Sequence, residues 1–292
     1  GINHITYPVS VAFSVFVFLV IINGLNLIDG IDGLASGIGI LVSSLFGSWF
    51  RLTGNHGDAA LCFSLGGALL AFFYFNVFSR KNKLFLGDTG SLLTGFLLAI
   101  FTFRILQLDQ QASDAYFIKS APAVVVGILI LPLFDTLRVF LIRILQGKSP
   151  FAADRQHIHH MLLQMGFSHI QTTIILLSVN IIFIVLNFAL QGIGILKLLL
   201  FNLGLASLLS YYLFIASRNR ARKQQDADLI LEGTWKREII SRSKMGGNVY
   251  IEEENLQEST DPLTDKNMTK KTIPEIAAKD KKKERIVKIH AD

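Results

Sequence analysis

The residues best suited to chemistry begin at "NLIDGIDGLASG" (26–37), which directly follows a long apolar run. This stretch places one amide and two carboxylates, those of Asn26, Asp29 and Asp32, three residues apart. Residues at this spacing share one face of a helix, and in a loop the interleaved glycines would leave room for a ligand. Asn and Asp also cap helices, which is the alternative explanation of each residue taken alone. The repeated arrangement favours a polar binding site.

A second polar stretch, "FLGDTGSLLTG" (85–95), opens another apolar run. Thr89 and Ser91 are residue types that cap the start of a helix, and a helix start favours anions. Asp88 stands just before them and could hold Mg²⁺ against a phosphate group, because Mg²⁺ takes one or two carboxylates together with phosphate oxygens and water. A purely capping role of Asp88 is the alternative.

The third polar stretch, "DRQHIHH" (154–160), contains Asp154, Arg155, His157, His159 and His160. Imidazole and guanidinium groups suit the recognition of phosphate and sugar hydroxyl groups. A zinc site is an alternative, since histidine is a common zinc ligand. Against zinc, no cysteine lies nearby and adjacent histidine side chains point apart in regular structure. An ordinary surface loop is the third interpretation.

One ionisable pair, Asp135 and Arg138, lies inside an apolar run after Pro132. Proline should kink a helix at this point. An ionisable residue within a membrane span is a functional candidate by default. The pair could equally orient a helix that leaves the bilayer beyond the kink, and the sequence leaves both interpretations open.

Composition and charge place most of the chain in a membrane. Of its 292 residues 51% are hydrophobic, and the last quarter carries most of the charge. Every acidic residue before 218 is an aspartate, which suggests placed carboxylates rather than a solvated surface. The net charge of +6 does not indicate nucleic-acid binding, because the basic residues flank apolar runs, as membrane anchors do.

The chain is predicted to be an all-α, polytopic bundle, because a spanning helix needs about 20 mostly apolar residues. Residues 1–217 form the predicted transmembrane domain, and 218–292 a charged, largely disordered cytoplasmic tail with a short helix near 226–242. The seven predicted spans are 8–26, 35–52, 59–78, 91–106, 121–146, 171–190 and 194–215.

Lysine and arginine indicate the sidedness of the connections. They are frequent in 79–90, in 147–170 and at the start of the tail, and rare in 53–58, 107–120 and 191–193. Cytoplasmic loops carry the excess of these residues. The alternation therefore predicts that all three polar stretches share the cytoplasmic face and belong to one site.

The three stretches together resemble the motifs of the polyprenyl-phosphate N-acetylhexosamine-1-phosphate transferases, membrane enzymes of the glycosyltransferase 4 family. The resemblance covers 8–217, and the form "HIHH" resembles the branch that uses UDP-N-acetylglucosamine. It implies transfer of N-acetylglucosamine-1-phosphate from this UDP-sugar to undecaprenyl phosphate, with release of UMP. It also implies a bacterial inner-membrane location and the first membrane step of a cell-envelope polysaccharide such as lipopolysaccharide.

The resemblance further implies roles for individual residues. Asp88 would bind Mg²⁺, with Mn²⁺ as an alternative ion and Asp29 as a second candidate ligand. The implied catalytic residues are Asp29, Asp32 and Asp88, and the implied substrate-binding residues are Asn26, Arg155, His157, His159 and His160. The implied partners are a UDP-sugar and a polyprenyl phosphate lipid in the membrane, with a homodimer left open.

One family feature is missing from the sequence. The family carries a paired-aspartate motif on an earlier cytoplasmic loop, and no Asp-Asp pair occurs here. Family members also have about three or four further spans on the N-terminal side, so we expect this chain to be the C-terminal portion of a longer enzyme. The alternative function is a non-enzymatic membrane protein, either an ion or metal transporter or a scaffold that lacks its catalytic half.

Overall fold

The computed structural model describes residues 6–79, 81–147, 149, 157–244, 250–253 and 287–290. Within them the chain forms a series of helices joined by short connections. These are α1 (Tyr7–Ile28), α2 (Leu34–Leu52), α3 (His56–Val77), α4 (Gly87–Asp109), α5 (Ala121–Ile128), α6 (Ile130–Leu145), α7 (Ile158–Gln164), α8 (His169–Leu190) and α9 (Ile195–Lys244).

The membrane spans agree with the sequence prediction. Among the described residues six helices are long and apolar enough to cross a membrane, and the bent pair α5–α6 brings the number to seven. The all-α prediction for the bundle is therefore confirmed. The fourth span is longer than the predicted 91–106, because the polar residues from Gly87 form the first turn of α4 instead of a preceding loop.

The fifth span is sharply bent, as Pro132 predicts, although the break falls at Leu129. The axes of α5 and α6 differ by 81°. Proline has no N–H, so the carbonyl of Ile128, four residues before Pro132, loses its helical partner. The Asn180 side chain on α8 donates to this carbonyl at 3.0 Å. A buried carbonyl in a membrane needs such a partner, so Asn180 stabilises the bend.

Small residues bring α1 against two other helices. A Cβ on Gly95 of α4 would lie 2.8 Å from the Cα of Ile22, and one on Gly24 of α1 would lie 2.9 Å from the carbonyl oxygen of Pro132. Membrane helices commonly approach each other through small residues. The C-terminal half of α1 is therefore held close to the N-terminal halves of α4 and α6.

A reciprocal amide pair joins α8 to α9 inside the bundle. The side chains of Asn187 and Asn202 donate to each other at 2.8 Å, and both residues are fully buried. Asn202 also donates to the carbonyl of Ala123 on α5 at 3.2 Å. This network ties three helices together where apolar contact alone gives little specificity.

The two ends of the bundle are held by separate sets of contacts. At the end where α3 begins, Arg104 pairs with Asp58 at 2.8 Å, and the indole of Trp49 donates to the carbonyl of Tyr116 at 3.0 Å. The opposite end, where α1 ends and α4 begins, is called the site end below. Connections alternate between these ends as the seven-span prediction requires.

The chain divides into the compact units Gly1–Ala221 and Arg222–Asp292, close to the predicted boundary after residue 217. Helix α9 is continuous for 50 residues, so the helix predicted near 226–242 is part of it. In the second unit, short strands β1 (Tyr250–Glu253) and β2 (Val287–His290) pair antiparallel. The rest of the predicted disordered tail lies outside the described residues.

Candidate active site

The end of α1 meets the start of α4 through polar side chains. The Asn26 amide donates to Oδ1 of Asp88 at 3.3 Å and to Oγ of Ser91 at 2.8 Å. Ser91 is fully buried and donates in turn to carbonyls of the first α4 turn, while Asp88 is exposed. The first and second polar stretches are thus in direct contact, as the sequence predicts.

Asp29 and Asp88 form a pair of interacting carboxyl groups. Burial and, to a smaller extent, the negative charge of Asp88 raise the pKa of Asp29 to about 6. Asp29 follows the last turn of α1, and its backbone N–H bonds the Asn26 carbonyl at 3.2 Å. Two carboxylates that repel each other at the mouth of a site are suited to share a cation.

Asn76, near the end of α3, joins the loop after α1 to the loop before α4. Its amide oxygen accepts from the N–H of Gly33 at 2.7 Å, and its amide nitrogen donates to the carbonyl of Leu84 at 2.7 Å. Gly33 has a φ of 78°, which favours glycine. Sequence reasoning missed Asn76, although a lone amide in an apolar span was an available signal.

Asp32 lies between two basic residues to which the sequence prediction gave no site role. Its carboxylate contacts the Lys83 Nζ at 2.7 Å and the His169 Nδ1 at 3.6 Å. Thr173 on α8 donates to the backbone carbonyl of Asp32 at 2.7 Å. Lys83 also lies 5.5 Å from the ring centre of Phe85, which is 77% exposed. The loop of the first stretch thus carries basic groups at its rim.

His157 is bound to the ionisable residue whose role the sequence left open. Its Nδ1 lies 2.9 Å from Oδ2 of Asp135, and both side chains are buried. Arg138 pairs with Oδ1 of Asp135 at 3.0 Å. Asp135 therefore faces the third polar stretch and does not merely orient its own helix.

His159 is buried beside the first polar stretch, and its ring nitrogens are candidate ligand-binding atoms. Its pKa is lowered to about 4, mainly by burial and then by His160. Neither ring nitrogen has a hydrogen-bond partner within the described part of the chain. A Cβ on Gly30 would lie 2.6 Å from its Nε2. Buried polar atoms are normally satisfied, so this ring is suited to receive a ligand.

The three histidines are closer together than expected. The rings of His157 and His159 are nearly parallel with centres 5.7 Å apart, and those of His159 and His160 are 4.2 Å apart. The expectation that adjacent histidines point apart is wrong here, since the rings of His159 and His160 lie side by side at the start of the short helix α7. Arg155 and Asp154, the other members of the stretch, lie outside the described residues.

The zinc alternative receives no support in the described part of the chain, where no group of three His, Cys, Asp or Glu side chains could hold a metal. The fit to Mg²⁺ is better, since this ion needs only one or two carboxylates when phosphate oxygens and water complete its shell. Asp88 and Asp29 supply that number, and the pKa of Asp29 is raised by burial first and by the negative charge of Asp88 second.

These observations define a class: a multi-pass membrane protein with carboxylates, amides and imidazoles gathered at one end of its bundle. Residues 1–105 match the family model described as glycosyl transferase family 4. The matched residues include the first two polar stretches, so the chain is similar to that family over this part, in agreement with the resemblance seen in the motifs.

The similarity to curated relatives covers more of the chain than the family match does. The undecaprenyl-phosphate alpha-N-acetylglucosaminyl 1-phosphate transferase of Escherichia coli K12 is 30% identical over 171 residues, which are 58% of this chain and 45% of the relative. The decaprenyl-phosphate N-acetylglucosaminephosphotransferase of Mycobacterium tuberculosis H37Rv is 35% identical over 169 residues, 53% of this chain and 41% of the relative. The chain thus spans about half the length of these relatives.

Proposed function

We propose that the protein transfers N-acetylglucosamine-1-phosphate from UDP-N-acetylglucosamine to undecaprenyl phosphate. An oxygen of the lipid phosphate bonds to the sugar-bearing phosphorus, the bond from that phosphorus to the uridine phosphate breaks, and UMP leaves. One pyrophosphate is replaced by another, so the reaction needs no further energy source. The names of the two relatives support this choice of acceptor class and sugar.

The observation that carries the proposal is the convergence of Asn26, Asp29 and Asp88 at the meeting point of α1 and α4. Phosphoryl transfer depends mainly on positioning and on neutralising phosphate charge. Mg²⁺, or Mn²⁺ in its place, would be held by Asp88 with Asp29 and would neutralise that charge. Asn26 keeps Asp88 oriented through its amide, and Ser91 fixes the amide in turn.

The basic and imidazole groups around this point would contact the substrates. Lys83 brings a positive charge to the rim of the loop, held at Asp32. Among the described residues the two ring nitrogens of His159 have no hydrogen-bond partner, and beside Gly30 they could bond phosphate or hydroxyl groups. In this arrangement the chain binds and orients two anions that would otherwise repel each other.

We further propose that the site end faces the cytoplasm of a bacterial inner membrane, with the reaction opening a cell-envelope polysaccharide pathway. Lys81 and Lys83 lie in the connection at the site end, whereas Lys119 lies at the other. The lysine and arginine balance between the connections supports this orientation. It would bring the UDP-sugar and the lipid phosphate to the same membrane surface.

The test is UMP release by the native protein that contains these residues, in lipid nanodiscs with undecaprenyl phosphate, UDP-N-acetylglucosamine and Mg²⁺. We expect Asp88→Asn to lower turnover by about 100-fold or more, the scale of losing a group that stabilises transition-state charge. Asp58→Asn is the matched control, because Asp58 also pairs with a partner near a helix start but lies at the opposite end.

Failure to release UMP from properly inserted native protein would refute the transferase assignment. Equal turnover of Asp88→Asn and Asp58→Asn would instead remove Asp88 from the metal-binding role and leave the reaction itself intact. UMP release without lipid product would point to hydrolysis of the UDP-sugar, which contradicts transfer.

A further inference from the structure

The buried carboxylate of Asp135 has no role in the proposed function as described so far. It is 3% exposed and lies on α6, just past the 81° break that redirects the fifth span. Without this break the side chain would lie on a straight membrane helix. The bend, with the Ile128 carbonyl bonded by Asn180, therefore determines where Asp135 points.

Asp135 uses both carboxylate oxygens on separate partners. Its Oδ1 accepts from the backbone N–H of Ile158 at 3.1 Å and from Arg138 at 3.0 Å. Its Oδ2 lies 2.9 Å from Nδ1 of His157. Since a carboxylate only accepts hydrogen bonds, this contact requires that Nδ1 of His157 carry the proton.

These bonds fix two consecutive residues of the third polar stretch. The side chain of His157 and the backbone of Ile158 are bound to the same carboxylate, which sets where α7 begins. The ring of His159 then stacks parallel to that of His157, at 5.7 Å and 8°, and lies against Gly30. One side chain thus connects the bent span to the histidines beside the Asp29 loop.

We propose that Asp135 is a positioning residue for the transfer: it holds His157 with Nδ1 protonated and fixes α7, so that His159 lies beside Gly30 in the loop that carries Asp29. Nε2 of His157 is then the nitrogen left for a substrate group, as an acceptor when the ring is neutral and as a donor when it is protonated. This inference rests on the proposed function for its catalytic consequence only.

The decisive variant is Asp135→Asn, which preserves the shape of the side chain. Two donors, the Ile158 N–H and Arg138, already point at the Oδ1 position. The amide oxygen should therefore remain there and the amide NH₂ should face His157. An NH₂ group can bond only an unprotonated Nδ1, so His157 should change to the tautomer protonated at Nε2.

The tautomer is read by ¹⁵N NMR of the native protein labelled at histidine, with His157→Gln identifying the resonances. We expect a protonated Nδ1 in the wild type and a protonated Nε2 in Asp135→Asn. A wild-type His157 that is unprotonated at Nδ1 would overturn the proposal whether or not Asp135→Asn folds. Identical His157 signals in wild type and variant would overturn it as well.

Turnover gives the second measurement, with Asp109→Asn as a matched control. Asp109 is also 3% exposed, and its carboxylate accepts a hydrogen bond from the backbone N–H of Ile118 at 2.8 Å. It lies at the end of α4, however, away from the site end of the bundle. We expect Asp135→Asn to lower kcat about 10-fold to 100-fold with little change of KM, since misplaced groups cost rate, and Asp109→Asn to leave kcat at the wild-type value.

The two measurements separate the two proposals. If the native protein releases no UMP, the proposed function fails, and the His157 tautomer still supports or overturns the positioning by Asp135. If kcat falls equally in both aspartate variants, the loss reflects general destabilisation and the positioning role is refuted. A fall confined to Asp135→Asn together with the tautomer change supports it.

Discussion

Gly30 allows a single methyl group to test whether the position of His159 matters. A Cβ at Gly30 would lie 2.6 Å from Nε2 and 3.3 Å from Cε1 of His159. Carbon atoms in ordinary contact are about 3.5 Å apart or more, so the ring would have to retreat by about 1 Å. The glycines with positive φ in the described residues do not include Gly30, so alanine suits its backbone.

Two magnitudes follow from this overlap. His159 is 1% exposed and cannot swing into solvent, so the added methyl should cost about 1–3 kcal/mol of stability, as overpacking of a dense interior does. If His159 contacts the substrate, a displacement of about 1 Å should also cost about 100-fold in turnover. The loss of rate should therefore exceed what the loss of folded protein explains.

The assay compares UMP release with equilibrium unfolding in mixed micelles for Gly30→Ala and two control variants. A Cβ on Gly57 meets nothing within 4 Å, so Gly57→Ala should change neither quantity. A Cβ on Gly39 would lie 2.5 Å from Cδ1 of Leu69, so Gly39→Ala should lower stability without a comparable effect on rate. These controls separate overpacking from displacement of the histidine.

The reasoning would be refuted if Gly30→Ala released UMP as fast as Gly57→Ala while being destabilised. It would also be refuted if Gly39→Ala and Gly30→Ala lost rate in the same proportion to their stability. In either case the ring of His159 would be part of the protein interior and not of the substrate site.

Three further predictions concern stability, measured by the same unfolding assay. Asn180→Leu should cost about 1–3 kcal/mol, because the buried carbonyl of Ile128 loses its donor. Asn187→Leu and Asn202→Leu should each destabilise, and the double variant should lose less than the sum, because each single variant already leaves the other amide unpaired; additive losses would contradict the reciprocal pair. The pKa of His159 is about 4 in the folded protein and about 6.5 when unfolded, so the unfolded chain takes up a proton that the folded chain does not. Stability should therefore fall as the pH drops from about 6.5 to 4, by up to about 3 kcal/mol, and His159→Leu should flatten this dependence.

Much of the bundle could be predicted because hydropathy reports directly on burial in lipid. The seven predicted spans correspond to the observed helices and the bent pair. The break in the fifth span was predicted from Pro132, but the donor that bonds the freed carbonyl of Ile128 is Asn180, 48 positions away from Pro132 in sequence. Local sequence contains no information about such a distant donor.

The sequence indicated which residues belong to the candidate site better than it indicated which of them are in contact. The contact of Asn26 with Asp88 and the closeness of His159 to Gly30 bring together three stretches that the sequence assigned to one face. Lys83 was attributed to membrane orientation alone and His169 received no role, although both contact Asp32. A lysine or histidine near a membrane surface has several ordinary explanations, and only the fold distinguishes between them.

The contact of Asn76 with two loops has a consequence for the entropy of ligand binding. One amide bonds the N–H of Gly33 and the carbonyl of Leu84, so the loops on both sides of the carboxylates are ordered when the protein folds. Ordering flexible segments upon association weakens binding. Loops that are already ordered do not lose this conformational entropy on binding, so the proposed nucleotide sugar could bind here without first ordering the loops that contact it.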